Sequence, residues 1–181
     1  MEKIQKIGVY FSMCFFAVFV AGIYGVFHDQ ISYTFSSEYF THFKFKQFAI
    51  PWAYENPRFG AAYVGFLATW WMGVLVYLPL GLFGFMFTTP RQMGTYLAKS
   101  LIVVVIVALV TGLLGLLYGY YQITESTNAS NIHCACIGVT EQIQFARVGY
   151  MHNASYAGGV TGLVAGVLYL VRAKLRYDKM F

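Results

Sequence analysis

Four long stretches of this chain carry no charged side chain and no histidine: Ile7–Phe27, Ala61–Phe87, Ser100–Tyr121 and Ala154–Val171. A helix needs about 20 apolar residues to cross the roughly 30 Å hydrocarbon core of a bilayer, and each stretch comes to about that length. In lipid every backbone polar group must be bonded internally, so a segment of this kind is a helix. Outer-membrane strands read differently, as segments of about ten residues that alternate in polarity. The first stretch follows Lys3 and Lys6 as a signal peptide would. Its apolar run exceeds the 7–15 residues of such a leader and no clear small-residue cleavage site follows, so it is expected to remain as an anchor.

The spacing therefore predicts an all-α integral membrane protein, one four-helix bundle over residues 1–181, with helices near 7–27, 61–87, 100–121 and 143–172. Composition agrees. The chain is 59% hydrophobic and 10% charged, against about 25% charged in a soluble domain. Its 15 Tyr, 17 Phe and 3 Trp suit aromatic belts at two bilayer interfaces. The lipid bilayer is the expected partner, and the net charge of +5 needs no nucleic acid. Eight of the twelve basic residues (Lys3, Lys6, Arg91, Lys99, Arg172, Lys174, Arg176, Lys179) fall on one side of a four-span topology. By the positive-inside rule both termini and the Thr88–Ala98 loop are cytoplasmic.

Small residues recur at helical spacing in the third span (Gly112, Gly115, Gly119) and the fourth (Gly158, Gly162, Gly166). They let backbones approach closely in lipid, either inside the bundle or across a homo-oligomer or partner seam. No proline interrupts Thr140–Arg176. A single helix of about 37 residues, roughly 55 Å long and N-capped by Thr140, is expected there, with its first third above the membrane.

Between the first two helices, Ile31–Phe48 mixes aromatics with Ser, Thr and Glu38. Such a segment neither spans nor dissolves; it is expected to lie at the outer interface and to pack back over the bundle mouth.

All four histidines and five of the seven acids lie in the outer loops or at their junctions with helices. Apolar spans free of ionisable groups argue against an ion-coupled carrier. The first and last helices of a bundle are commonly neighbours, which would bring His28 and Asp29 to His152. Glu38, Arg147 and Asn153 are expected to complete an outer polar cluster. Imidazole with carboxylate suits Zn, Mn or non-haem Fe, so His28, Asp29, Glu38 and His152 form a candidate site for a divalent transition metal. Their spacing matches no ligand signature, and a structural polar cluster explains the same residues. A second candidate, Cys134 and Cys136 beside His133, lies on the oxidising face, where thiols pair or bind soft metals. It is neither CxxC nor a haem-attachment motif.

The runs His28-Asp29-Gln30, Glu38-Tyr39-Phe40-Thr41 and Ala68-Thr69-Trp70-Trp71 resemble a family of uncharacterised small bacterial integral membrane proteins. The resemblance covers the first half of the chain and implies a bacterial inner membrane, with no activity attached. No phosphate loop, Ser-His-Asp order or zinc-protease helix is present in the sequence. Two functional classes follow: a non-catalytic membrane component that presents an aromatic-rich outer surface to partners or to itself, and a metal- or redox-dependent membrane enzyme working there on a lipid or quinone.

Topology is directly testable. Reporters fused at the N-terminus, at Gly94 and at the C-terminus should read cytoplasmic, and fusions near Ala53 and Asn131 external. An external C-terminus would require an odd number of spans.

Overall fold

The computed structural model describes residues 2–124 and 138–179. Four long helices dominate it: α1 Glu2–Phe35, α3 Pro57–Gly84, α4 Pro90–Gln122 and α5 Gln142–Asp178. Each is long and apolar enough to cross a membrane. Their outward faces carry a belt of large exposed apolar side chains, among them Phe11 (66% exposed), Phe15 (71%) and Leu117 (64%). In water so wide an apolar surface would drive aggregation, whereas against lipid tails it costs nothing. The chain is a membrane protein.

The helices outrun the apolar stretches. α1 continues eight residues past Phe27, so His28 and Asp29 sit within its body. α3 starts at Pro57, with the Asn56 side chain accepting from Phe59 N–H, and it stops at Gly84, three residues short of the expected end. α4 starts at Pro90 under a capping box in which Thr89 and Gln92 bond each other's backbone N–H. Proline at the first helical position and a Thr cap explain that sharp start. α5 is the expected single 37-residue helix. Thr140 does not cap it through its own side chain, because the Thr140 hydroxyl donates to Glu38.

Packing follows the small residues. α1 runs antiparallel to α3, and α4 to α5. A Cβ placed on Gly65 would lie 2.2 Å from the Gly25 carbonyl oxygen, and one on Gly115 would meet Ala154 Cβ at 2.2 Å. Only glycine permits such approach. A Cβ on Gly158 or Gly162 would also crowd its partner, Ala108 or Val104, at 2.9 Å. The glycines of the third and fourth spans are therefore used inside the bundle. The equivalent seam of the first pair, Gly25 on Gly65 and Gly73 on Ala17, follows the same rule. Interhelical hydrogen bonds reinforce both: Thr69 Oγ1 donates to Ala21 O at 2.7 Å, Tyr77 to Tyr10 O at 2.9 Å, and Ser100 to Gly166 O at 3.0 Å. Each contributes about 0.6 kcal/mol on average in a membrane.

The two pairs meet with α1 flanked by α3 and α4, and α5 flanked by α4 and α3. The first and last helices are thus diagonal, not adjacent as expected, because each is already committed to a glycine-matched partner. Two cores result. One, around Tyr77, Leu80, Met93, Leu97 and Leu170, closes the end bearing the basic residues. The other, at the opposite end, is built by the connection between α1 and α3: a π-helical turn Tyr39–Lys44, the one-turn helix α2 Phe45–Gln47, and a 3-10 turn Pro51–Tyr54. Tyr39, Phe40, Phe45, Ile50 and Ala53 are buried there against Val64, Phe145 and Val148. The aromatic segment packs over the bundle mouth, with rings turned inward.

Gly65→Ala and Gly115→Ala should each destabilise the detergent-solubilised protein by about 1–3 kcal/mol, the usual effect of overpacking. Gly8→Ala and Gly149→Ala, where an added Cβ meets nothing within 4 Å, should leave thermal unfolding unchanged. Equal tolerance at all four positions would contradict the seams.

Candidate buried histidine–aspartate site

The α1–α5 diagonal crosses beneath the aromatic cap, and there His28 and His152 face each other. Their ring centroids are 4.7 Å apart, edge to face. His28 Nδ1 lies 2.9 Å from Asp29 Oδ1, and His28 Nε2 2.8 Å from the Ser155 hydroxyl; with Asp29 ionised, Nδ1 carries the proton and Nε2 accepts from Ser155. His152 Nε2 lies 3.3 Å from Ser32 Oγ and 3.9 Å from the same Asp29 oxygen. Above it, Tyr39 stacks on the His152 ring at 4.7 Å. His28 and Asp29 are each 3% exposed and His152 7%. One atom stands out. Asp29 Oδ2 is buried and has no hydrogen-bond partner among the described residues. An unpaired buried oxygen on an acid is costly, so such a group calls for a functional explanation.

His28, Asp29 and His152 each offer a ligand atom, all within 4.8 Å of one another. The apolar stretches are free of ionisable groups, as the sequence shows, but the helices that contain them are not. That removes the premise on which an ion-coupled carrier was set aside.

Three expected members of the cluster are elsewhere. Glu38 does not join the metal-ligating group: its carboxylate accepts from Thr140 N–H at 2.9 Å, the Thr140 hydroxyl at 2.7 Å and Glu141 N–H at 2.7 Å. It caps α5 from a distance, placing a negative charge at the positive end of the helix dipole. Arg147 donates from Nε and Nη2 to Ile123 O at 3.0 and 2.7 Å, and its guanidinium sits 4.1 Å from the Tyr120 ring centroid. It fastens the C-terminus of α4 to α5. Asn153 is exposed, on the opposite face of α5 from the buried Met151 and His152 pair. His133, Cys134 and Cys136 lie outside the described residues.

Ser32, Ser155, Tyr24 and Tyr39 were not singled out from the sequence. Three of them carried a signal: Tyr24 precedes His28 by one helical turn, Ser32 follows it by one, and Ser155 follows His152 by three residues. Residues at that spacing share a helix face. On α1 the signal became usable only once the helix ran past its apolar core.

Below the cluster an apolar cavity of about 90 Å³ extends along the bundle axis. All four long helices line it, through Val20 of α1, Ala68 and Met72 of α3, Val105 of α4 and Gly159 of α5. His28, Asp29, His152, Ser155, Tyr24 and Tyr156 form its polar end. Above, Lys44 is buried with its Nζ 4.9 Å from the Phe43 ring centroid, donating to Gln47. Burial pushes its amine below the ordinary lysine value, and Asp29 pulls it partly back. Burial also raises the Tyr39 hydroxyl, with the Asp29 charge acting the same way.

Comparisons with protein-family models, with curated proteins and with solved structures gave no match.

The Glu38 latch has a pH signature. Desolvation pushes its carboxyl up, but the bonds from Glu141 N–H and from the Thr140 hydroxyl and N–H, with His42 nearby, together outweigh it and hold the carboxyl below the ordinary value. A carboxyl with a lowered folded-state pKa stabilises fully above its unfolded pKa, about 4.3, and loses that contribution as pH falls through the folded value. Glu38→Gln should therefore lower the melting temperature near neutrality, and the gap should close as pH falls towards about 3. A gap that stays constant would remove the charge from the explanation.

Proposed function

We propose that this chain is a four-span protein of a bacterial inner membrane, with both termini cytoplasmic. Its working site is the histidine–aspartate end of the central cavity, near the outer face. The basic residues at the N-terminus, in the loop before α4 and at the end of α5 support that orientation. There the site holds the polar head of a bilayer-resident amphiphile, of quinone or lipid class, while the first few carbons of its tail enter the apolar cavity and the rest lies in the bilayer. Such a layout belongs to a membrane enzyme that works on lipid or quinone headgroups.

The observation that carries this reading is the cavity itself. It is apolar along its length, lined by all four helices, and ends in two buried imidazoles and a carboxylate. Ligand sites are mostly apolar clefts with a few convergent polar groups that fix orientation. Buried ionisable groups at membrane depth mark function more often than scaffolding. A carbonyl or hydroxyl headgroup meets its natural partners in His28, His152, Tyr24 and Tyr156. The other class, a non-catalytic component that packs with partners or itself, draws less support: the glycine faces it would use are occupied within the bundle.

The test is extraction. Protein purified in native-lipid discs should yield an amphiphile that survives washing and is seen by mass spectrometry, with ultraviolet absorption separating a quinone from a phospholipid. Ala68→Phe and Val105→Phe, which fill the cavity, should lose it while the chain still folds. Equal retention in the filled variants, or no retained amphiphile in the wild type, would overturn the reading.

A further inference from the structure

We infer that His28, Asp29 and His152 form a three-ligand site for a divalent transition metal, with the cavity side left open. His28 Nδ1 and His152 Nε2 supply nitrogen and Asp29 supplies oxygen. The site does not depend on the amphiphile reading, but it takes the same imidazole nitrogens, so with metal bound a headgroup would be left with Tyr24, Tyr156 and the open side of the site.

Spacing is the first argument. Ligands about 2.1 Å from a metal lie about 3.0 Å apart at right angles and about 3.4 Å apart in a tetrahedron. The Asp29 Oδ1 distances to His28 Nδ1 and His152 Nε2 are 2.9 and 3.9 Å, which bracket those values. All three ligand atoms lie within 4.8 Å of one another, so the two rings turn towards a common point to close the set.

The second argument is the unpartnered oxygen. Asp29 is 97% buried by its 3% residual exposure, and its Oδ2 has no hydrogen-bond partner among the described residues. A single imidazole N–H on Oδ1 leaves most of the carboxylate's acceptor capacity unused. A cation bound through either oxygen satisfies it, and burial strengthens that attraction.

The third argument lies around the ligands. Metal-bound histidines nearly always donate their other ring N–H to an oxygen, which fixes the ring. His28 Nε2 has the Ser155 oxygen at 2.8 Å for this purpose. On binding, the proton on Nδ1 leaves, Nε2 takes up the N–H, and the Ser155 hydroxyl changes from donor to acceptor. Ser155 is thus a positioning residue. Tyr39, stacked on His152, holds the second ring and covers the side opposite the cavity. Two imidazoles, one carboxylate and open positions suit Zn, Fe(II), Mn or Co more than Ca or Mg.

The full chain, stripped with a chelator in detergent, is titrated with Co²⁺, and bound metal is read by elemental analysis and by the cobalt absorption spectrum. One cobalt per chain is expected. Asp29→Asn and His152→Gln should abolish the spectrum, and Ser155→Ala should weaken binding by about 10–100-fold. His42→Gln and the double variant Cys134→Ser/Cys136→Ser should bind as wild type. Should Asp29→Asn fail to fold, X-ray absorption on the cobalt-loaded wild type must show histidine nitrogen and carboxylate oxygen around the metal. A sulfur shell, wild-type affinity in Asp29→Asn, or no cobalt bound by the wild type would each overturn the site.

Discussion

Close backbone contact between small residues is the constraint on which this structure rests. In lipid no hydrophobic force draws helices together, since the tails are as apolar as leucine, and association depends on dispersion and on hydrogen bonds between helices. Gly25 on Gly65 and Gly115 on Ala154 match the helices into two antiparallel pairs. Those matches, more than loop length, dictate the order of helices around the bundle. α3 and α4 are joined by a short loop yet stand on a diagonal. The other diagonal, α1 to α5, then carries His28 and His152 to the middle of the protein.

The central position explains why the polar cluster is buried, and why it needs so much support. A site between adjacent helices would open towards lipid. On the diagonal it is closed above by Tyr39 and Phe40 and continues below into the cavity. The cap is held by its own fastening: Glu38 binds the start of α5 one residue before Tyr39 stacks on His152. Arg147 secures the end of α4 on the same face of the bundle. Glu38, which reads as a ligand in the sequence, and Arg147, which reads as a member of the polar cluster, thus hold the walls of the site.

Much of this was legible in the sequence, and the reasons for the remainder are physical. The uncharged stretches gave four helices, and the proline-free run from Thr140 gave the long α5. The end of α1 was misplaced because hydropathy reports the bilayer, not the backbone: His28 and Asp29 interrupt an apolar run without interrupting the helix. Meeting of His28 and His152 was anticipated from a supposed adjacency of first and last helices. They do meet, across the diagonal, because the α1–α3 seam at Gly22, Gly25, Gly65 and Gly73 went unread beside the more regular glycines of α4 and α5. Glu38 and Arg147 resisted assignment for another reason. A long charged side chain chooses among backbone partners that exist only in the folded state.

The account stands or falls on the meeting of α1 and α5. Solid-state NMR of the protein in lipid bilayers, with histidine ring nitrogens and carbons labelled and His42 and His133 replaced by Gln, measures it directly. A through-space correlation between the His28 and His152 rings is predicted from centroids 4.7 Å apart. Two histidine spin systems without any mutual contact would place the rings on separate faces of the bundle and contradict both the helix order and the site.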